Sequence, residues 1–177
     1  MDESKQYEHL IAWYEANARD LPWRAPGTTA WGVLLSEVMS HQTQVDRVAP
    51  IWKEWIARWP TPRAFAQAGA DEVLRAWGNL GYPRRALRLL ECARVIVDKH
   101  GGDVPADVDA LLALPGIGDY TAGAVANFAY GRDVPVVDTN VRRVHARAVR
   151  GEATAKPSKR ELTEIPHGPQ LSVCLLY

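Results

Sequence analysis

Apolar side chains recur along this chain every three or four residues, the spacing of one helical face, and no useful run alternates with period two. "YEHLIAWYEANA" carries Leu10, Ile11, Trp13 and Tyr14 in helical register. "DLPWRAPGTT" is a Pro/Gly-rich loop, and "AWGVLLSEVMS" a short helix. Thr43, with Asp46 three residues on, has the form of a capping box for a helix running to about Trp59. That helix should turn Val45, Val48, Trp52, Trp55 and Ile56 inward and bend at Pro50. "WPTPRAFAQAG" reads as a turn with a short helix, and "ADEVLRAWGNL" as a helix ended at Gly81. "PRRALRLLECARVIVDKHG" is a long amphipathic helix with Gly101 past its end. "DVDALLAL" and "DYTAGAVANFAYG" are helices joined by "PGIG"; "VPVVD" is extended and "TNVRRVHARAV" helical. The fold class is therefore all-α. After Arg150 come one short helical stretch, Pro166, Pro169 and an apolar end, the pattern of a frayed terminus.

One residue disturbs this pattern. Glu37 stands among Leu34, Leu35, Val38 and Met39. A buried, unpaired carboxylate is costly, so Glu37 is exposed, partnered or kept for chemistry. Taken alone, exposure is the commoner case. Asp138, just before a helix, is by default an N-cap, a role that still lets it present a carboxylate to a ligand. "LPGIGDYTA" has the form of a helix-hairpin-helix. Gly116 and Gly118 let backbone approach another molecule closely, and the following helix start suits a phosphate. Two carboxylates and a phosphate-binding hairpin are more informative together. Glycosidic cleavage uses an acid on the leaving group and a carboxylate beside the developing oxocarbenium ion. Removing a base from DNA has the same needs and also requires flipping the nucleotide out of the duplex.

Composition adds limits. With 47% hydrophobic and 24% charged residues, the chain is ordinary for a globular protein. No apolar run is long enough to span a bilayer, and the acidic start does not read as a secretion signal, so a cytoplasmic protein is expected. Its two cysteines, Cys92 and Cys174, give no disulfide framework and cannot ligate a cluster that needs four thiolates. The formal net charge is zero, yet residues 82–100 carry +3 and residues 140–160 carry +6, with acidic residues crowded into the first twenty positions. Segregated charge permits a basic, DNA-facing surface on a neutral protein.

Taken together, "LPWR", "SEVMSHQTQ", "WGNLGYPRRA", "LPGIGDYTAGAVANFAYG" and "VVDTNVRRV" resemble the A/G-specific adenine DNA glycosylases of the helix-hairpin-helix superfamily, over residues 7 to 150. The resemblance implies a helical barrel domain over 31–131, with its hairpin at 107–131, and an incomplete second helical domain. To the second domain it assigns the N-terminal helix and loop (1–30) and the Asp-bearing segment and helix (132–150), leaving 151–177 as a divergent, poorly ordered tail. It implies a base excision repair enzyme that hydrolyses the N-glycosidic bond of adenine mispaired with 8-oxoguanine or guanine. Glu37 would be the acid that protonates adenine at N7, a role suited by burial, since desolvation favours a protonated carboxyl. Asp138 would stabilise the sugar cation, with Tyr120 near it and Asn140 in the pocket.

Gln42 and Tyr82 fall where the family wedges the duplex, and Thr43 where it contacts the damaged guanine. Gly116, Gly118, Arg24, Arg142 and Arg143 complete the DNA-binding set. Endonuclease III-type relatives, which also cut the backbone, use a lysine at the position of Tyr120, so a monofunctional glycosylase is expected. His41 stands where this branch commonly has glutamine. The implied partner is double-stranded DNA with A:8-oxoguanine or A:G mismatches, bound by a monomer. The family's 4Fe–4S cluster is implied too, but its four cysteine ligands are absent here, which suggests a truncated or frameshifted product with impaired activity. The other readings are a non-catalytic DNA-binding remnant or, less well supported, an endonuclease III-like glycosylase/lyase.

Overall fold

The computed structural model describes residues 3–144, 146–147 and 151–153. The expected frayed tail beyond 153, Cys174 and the Leu10 side chain fall outside the described residues. Among those residues the order is α1 (Glu3–Asn17), a 3-10 turn (Pro22–Arg24), α2 (Ala30–Ser40), α3 (Val45–Arg58), α4 (Pro62–Ala66), α5 (Ala70–Trp77), α6 (Arg84–Lys99), α7 (Val108–Leu112), α8 (Asp119–Tyr130) and α9 (Thr139–Val144), with no strand. The chain forms two compact units, Leu21–Tyr130 and a discontinuous one made of Met1–Asp20 and Gly131–Tyr177.

Helix α2 has almost no polar face, and a helix apolar all round belongs inside a protein. Every residue from Trp31 to Met39 is buried. Thr29 caps its start, accepting from the Gly32 amide at 3.1 Å. Helices α3, α6 and α8 pack against it. Small residues make this possible. A Cβ on Gly32 would lie 3.2 Å from the Trp52 ring of α3. On α8, Ala122, Gly123, Ala124 and Ala126 are all buried. An aromatic cluster fills the far side, with Trp55 and Trp59 each 5.1 Å from Phe65 and Trp77 5.6 Å from Trp55, in edge-on or tilted pairs. Their indole N–H groups find backbone partners: Trp31 donates to Trp59 O at 3.0 Å, Trp52 to Gly32 O at 2.8 Å and Trp55 to Ala76 O at 3.0 Å.

Two expectations need correcting. Thr43 does not cap α3. Gln44 is the N-cap, and the Thr43 hydroxyl is taken up by tertiary partners, donating to Leu80 O at 3.0 Å and accepting from Arg85 at 2.9 Å. Helix α5 ends at Trp77 rather than Gly81, because Gly78 (φ 55°) supplies the left-handed break first. Residues 79–82 are therefore loop, not helix.

In the discontinuous unit, Ile11 and Tyr14 of α1 are half-buried and Trp13 is 61% exposed. Residues 131–138 run without regular structure to α9, which buries Val141.

Candidate active site

Glu37 is the one carboxylate fully buried among the described residues, at 2% exposure. One turn further on, His41 forms the C-cap of α2. Its Nε2 lies 3.2 Å from the Thr121 hydroxyl at the start of α8, and its ring centroid is 6.2 Å from that of Tyr120. Burial, and then the Arg85 charge, hold this imidazole below its ordinary pKa, so the neutral ring is favoured. The acid-bearing helix thus meets the hairpin helix through His41, with Tyr120 half-buried beside it.

Beyond His41, two loops converge. Gln42 (φ 56°) and Tyr82 (φ 49°) are the only non-glycine residues with positive φ among those described. Both are exposed, Tyr82 at 62%. Thr43, between the loops, is buried and its hydroxyl bonds inside the protein. Arg85 reaches from α6 into the junction. Nη1 donates to the carbonyls of Val38 (3.0 Å), Met39 (3.2 Å) and His41. Nη2 donates to Thr43 Oγ1 (2.9 Å), Leu80 O (3.3 Å) and Gly81 O (3.1 Å). Arg47 donates to Asn79 O, and Trp77 Nε1 to Gly81 O at 2.8 Å.

The hairpin between α7 and α8 divides the work of its glycines. Gly116 has φ 79°, and a Cβ there would come 3.2 Å from Arg88 Cβ. Gly118 has neither constraint: nothing lies within 4 Å of a Cβ built on it. Ile117 between them is buried and anchors the turn. Arg24 lies half-buried in the 3-10 turn. Along α6 an open groove is lined by Arg84, Arg88, Glu91 and Arg94. Not all of this segment's charge faces outward, since Arg85 is spent on the loops and Arg94 donates to the carbonyls of Ala66 and Ala68, both at 3.3 Å.

Asp138 belongs to the other unit and caps α9. Its Oδ1 accepts from the Val141 amide at 2.7 Å, and its Oδ2 from Asn140 Nδ2 at 3.1 Å. Arg143 donates to Asn140 Oδ1 at 3.0 Å, so Arg143, Asn140 and Asp138 form a short chain of hydrogen bonds. Arg142 beside it is exposed.

The family of HhH-GPD superfamily base excision DNA repair proteins matches residues 35–166, and so includes Glu37, the hairpin and Asp138. The chain belongs to this superfamily. As an HhH-GPD protein it is similar to the adenine DNA glycosylase of Mycolicibacterium smegmatis, 63% identical over 153 residues, covering 86% of this chain and 52% of that protein. It is 55% identical over 177 residues to the adenine DNA glycosylase of Mycobacterium tuberculosis, covering 95% of this chain and 58% of that one. The chain thus spans just over half the length of these curated relatives. The solved structure of a thermostable thymine-DNA glycosylase superposes with a TM-score of 0.84 at 26% identity, over 96% of this chain and 82% of that one. The all-α glycosylase fold and the kinship with adenine DNA glycosylases, both read from motifs, hold. The HhH-GPD match also runs on past Arg150, where the motif resemblance stops.

Endonuclease III-like folds commonly hold a 4Fe–4S cluster, but the cysteines of these 177 residues do not fit one. There are two where four are needed, and Cys92 is buried in α6, its thiol pushed up to about 12 by desolvation. No described helix is long and apolar enough to cross a membrane.

Arg85 is the functional candidate that sequence reading missed. In the sequence it is one of several arginines on an amphipathic helix. Its partners lie as far as 47 residues away, and no local pattern announces them.

Proposed function

We propose that this chain works as a monofunctional adenine DNA glycosylase in base excision repair, acting in the cytosol on duplex DNA with adenine opposite 8-oxoguanine or guanine. The observation that supports this reading is Glu37, a carboxyl at 2% exposure inside a largely apolar, fully buried stretch of α2. Glu37 gives a proton to adenine N7. The C1′–N9 bond then breaks, its electron pair leaving with the base. Asp138 stabilises the resulting oxocarbenium ion, water adds at C1′ with its released proton restoring Glu37, and an abasic site remains. Asn140 aims Asp138 through the hydrogen bond at 3.1 Å. Tyr120, beside His41, lacks an amine and forms no Schiff base, so strand cutting is not part of the proposed reaction.

The DNA contacts divide by chemistry. Gly118, open to its surroundings, lets the hairpin backbone meet a phosphate, and Arg142 and Arg143 neutralise others. Gln42 and Tyr82, exposed on their loops, wedge the duplex beside the damaged guanine. Thr43 acts from between these loops, and Arg24 is a further pocket member.

The test is excision on an A:8-oxoguanine duplex, with binding to the same duplex measured alongside for the parent and Glu37→Gln. Excision by the parent alone, with binding by both, supports the proposal. Equal binding and no excision by either would make the chain a DNA-binding module without activity. Affinity should also fall steeply with rising salt despite the neutral net charge.

A further inference from the structure

Gln42 and Tyr82 hold backbone conformations that L-residues rarely adopt, and they do so on exposed loops. Two side chains join the loops: Thr43 donates directly across to Leu80 O, and Arg85 reaches both loops at several points. Arg85 Nη1 closes the last carbonyls of α2 and His41 O, while Nη2 takes Thr43 Oγ1 and the carbonyls of Leu80 and Gly81. Its guanidinium carbon also lies 5.4 Å from the Tyr82 ring centroid and 5.2 Å from that of Trp77. No carboxylate forms an ion pair with it among the described residues. This is a half-buried cation held by neutral acceptors from two loops. Its rigid planar fork can serve both at once, whereas a lysine ammonium, a point on a flexible stem, cannot.

We infer that Arg85 is a positioning residue for the duplex wedge, a clasp that joins the Gln42 loop to the Tyr82 loop so that both side chains enter DNA as one rigid blade. The inference rests on the proposed wedge role of Gln42 and Tyr82. Arg85 itself need touch no base. It fixes the spacing of the two residues that do, and its effect is on base flipping rather than on overall affinity.

Hydrogen exchange of the DNA-free protein, followed at amides 41–43 and 79–82, reads the clasp directly. Arg85→Met should raise exchange in both loops together by about tenfold or more, leaving the α8 amides unchanged. Flipping is read at saturating protein with 2-aminopurine opposite 8-oxoguanine. Arg85→Met should lose most of this signal, and adding Tyr82→Ala to it should lose little more. Arg85→Lys should recover less than half, and it carries the same readouts should Arg85→Met fail to fold. Loosening of one loop alone, an unchanged flipping signal at saturation, or full rescue by lysine would overturn the clasp. If Tyr82→Ala and Gln42→Ala both leave flipping intact, the wedge reading fails instead, and the exchange data alone judge whether Arg85 joins the loops.

Discussion

Glu37 sits mid-helix, with every residue from Trp31 to Met39 buried, whereas Asp138 starts a six-residue helix, half-buried, each of its oxygens accepting a hydrogen bond from within three residues. The surroundings of the first are made by tertiary packing, through α3, α6 and α8. Those of the second are made by its own segment. The first is placed by the packing of whole helices, and the second by two N–H donors of its own segment. The proposed reaction uses both, and each is built by a different route.

The largest effect should come from Glu37→Gln. Glutamine keeps the shape but cannot act as the acid, so single-turnover excision should fall on the order of a thousandfold with the fold intact. Retention within a few-fold would remove Glu37 from the chemistry. Asp138→Asn should follow, with a loss on the order of a hundredfold from the missing anion. Asparagine caps as well as aspartate, so the melting temperature should barely move. Asp138→Ala sharpens the point: excision falls alike, and the lost cap should lower stability by about 1 kcal/mol, read by denaturant unfolding.

The hairpin glycines offer a second contrast. Gly116→Ala forces a side chain into left-handed backbone against Arg88 and should destabilise the protein by about 1 kcal/mol or more. Gly118→Ala should be neutral to folding, yet Gly118→Asp should weaken binding to every duplex sequence alike in a titration. If Gly118→Asp bound DNA normally, the open space over that glycine would not be where a phosphate sits.

The smallest effect concerns pH. The His41 imidazole is held below its ordinary value of 6.5, so the unfolded chain takes up this proton first as pH falls. Its contribution to stability is complete above that value and is lost as pH falls through the lowered folded value. Between pH 7 and pH 5 the parent's melting temperature should therefore fall more steeply than that of His41→Gln.

What the sequence revealed was local. Helical periodicity, the hairpin and the cap at Asp138 each lie within a few residues of chain. Glu37 was conspicuous because an acid broke an apolar run, although only tertiary packing decided that it is buried. The errors were competitions between neighbours. Gly78 and Gly81 both offer a helix stop, and the earlier one takes it. Thr43 has the look of a cap until Leu80 and Arg85 claim its hydroxyl. Gly116 and Gly118 are alike in sequence, and only the backbone turn at Gly116 and the position of Arg88 tell them apart.

The distribution of indoles gives the molecule two optical labels. Six of its seven tryptophans lie in Leu21–Tyr130, none more than 7% exposed, while Trp13 of the other unit is 61% exposed. The six should emit at shorter wavelengths, and Trp13 at the red edge, where acrylamide quenches it first. Melting followed at the two edges reports each unit separately, and a gap between the transitions measures how far the helix bearing Trp13 unfolds independently of the one bearing Glu37.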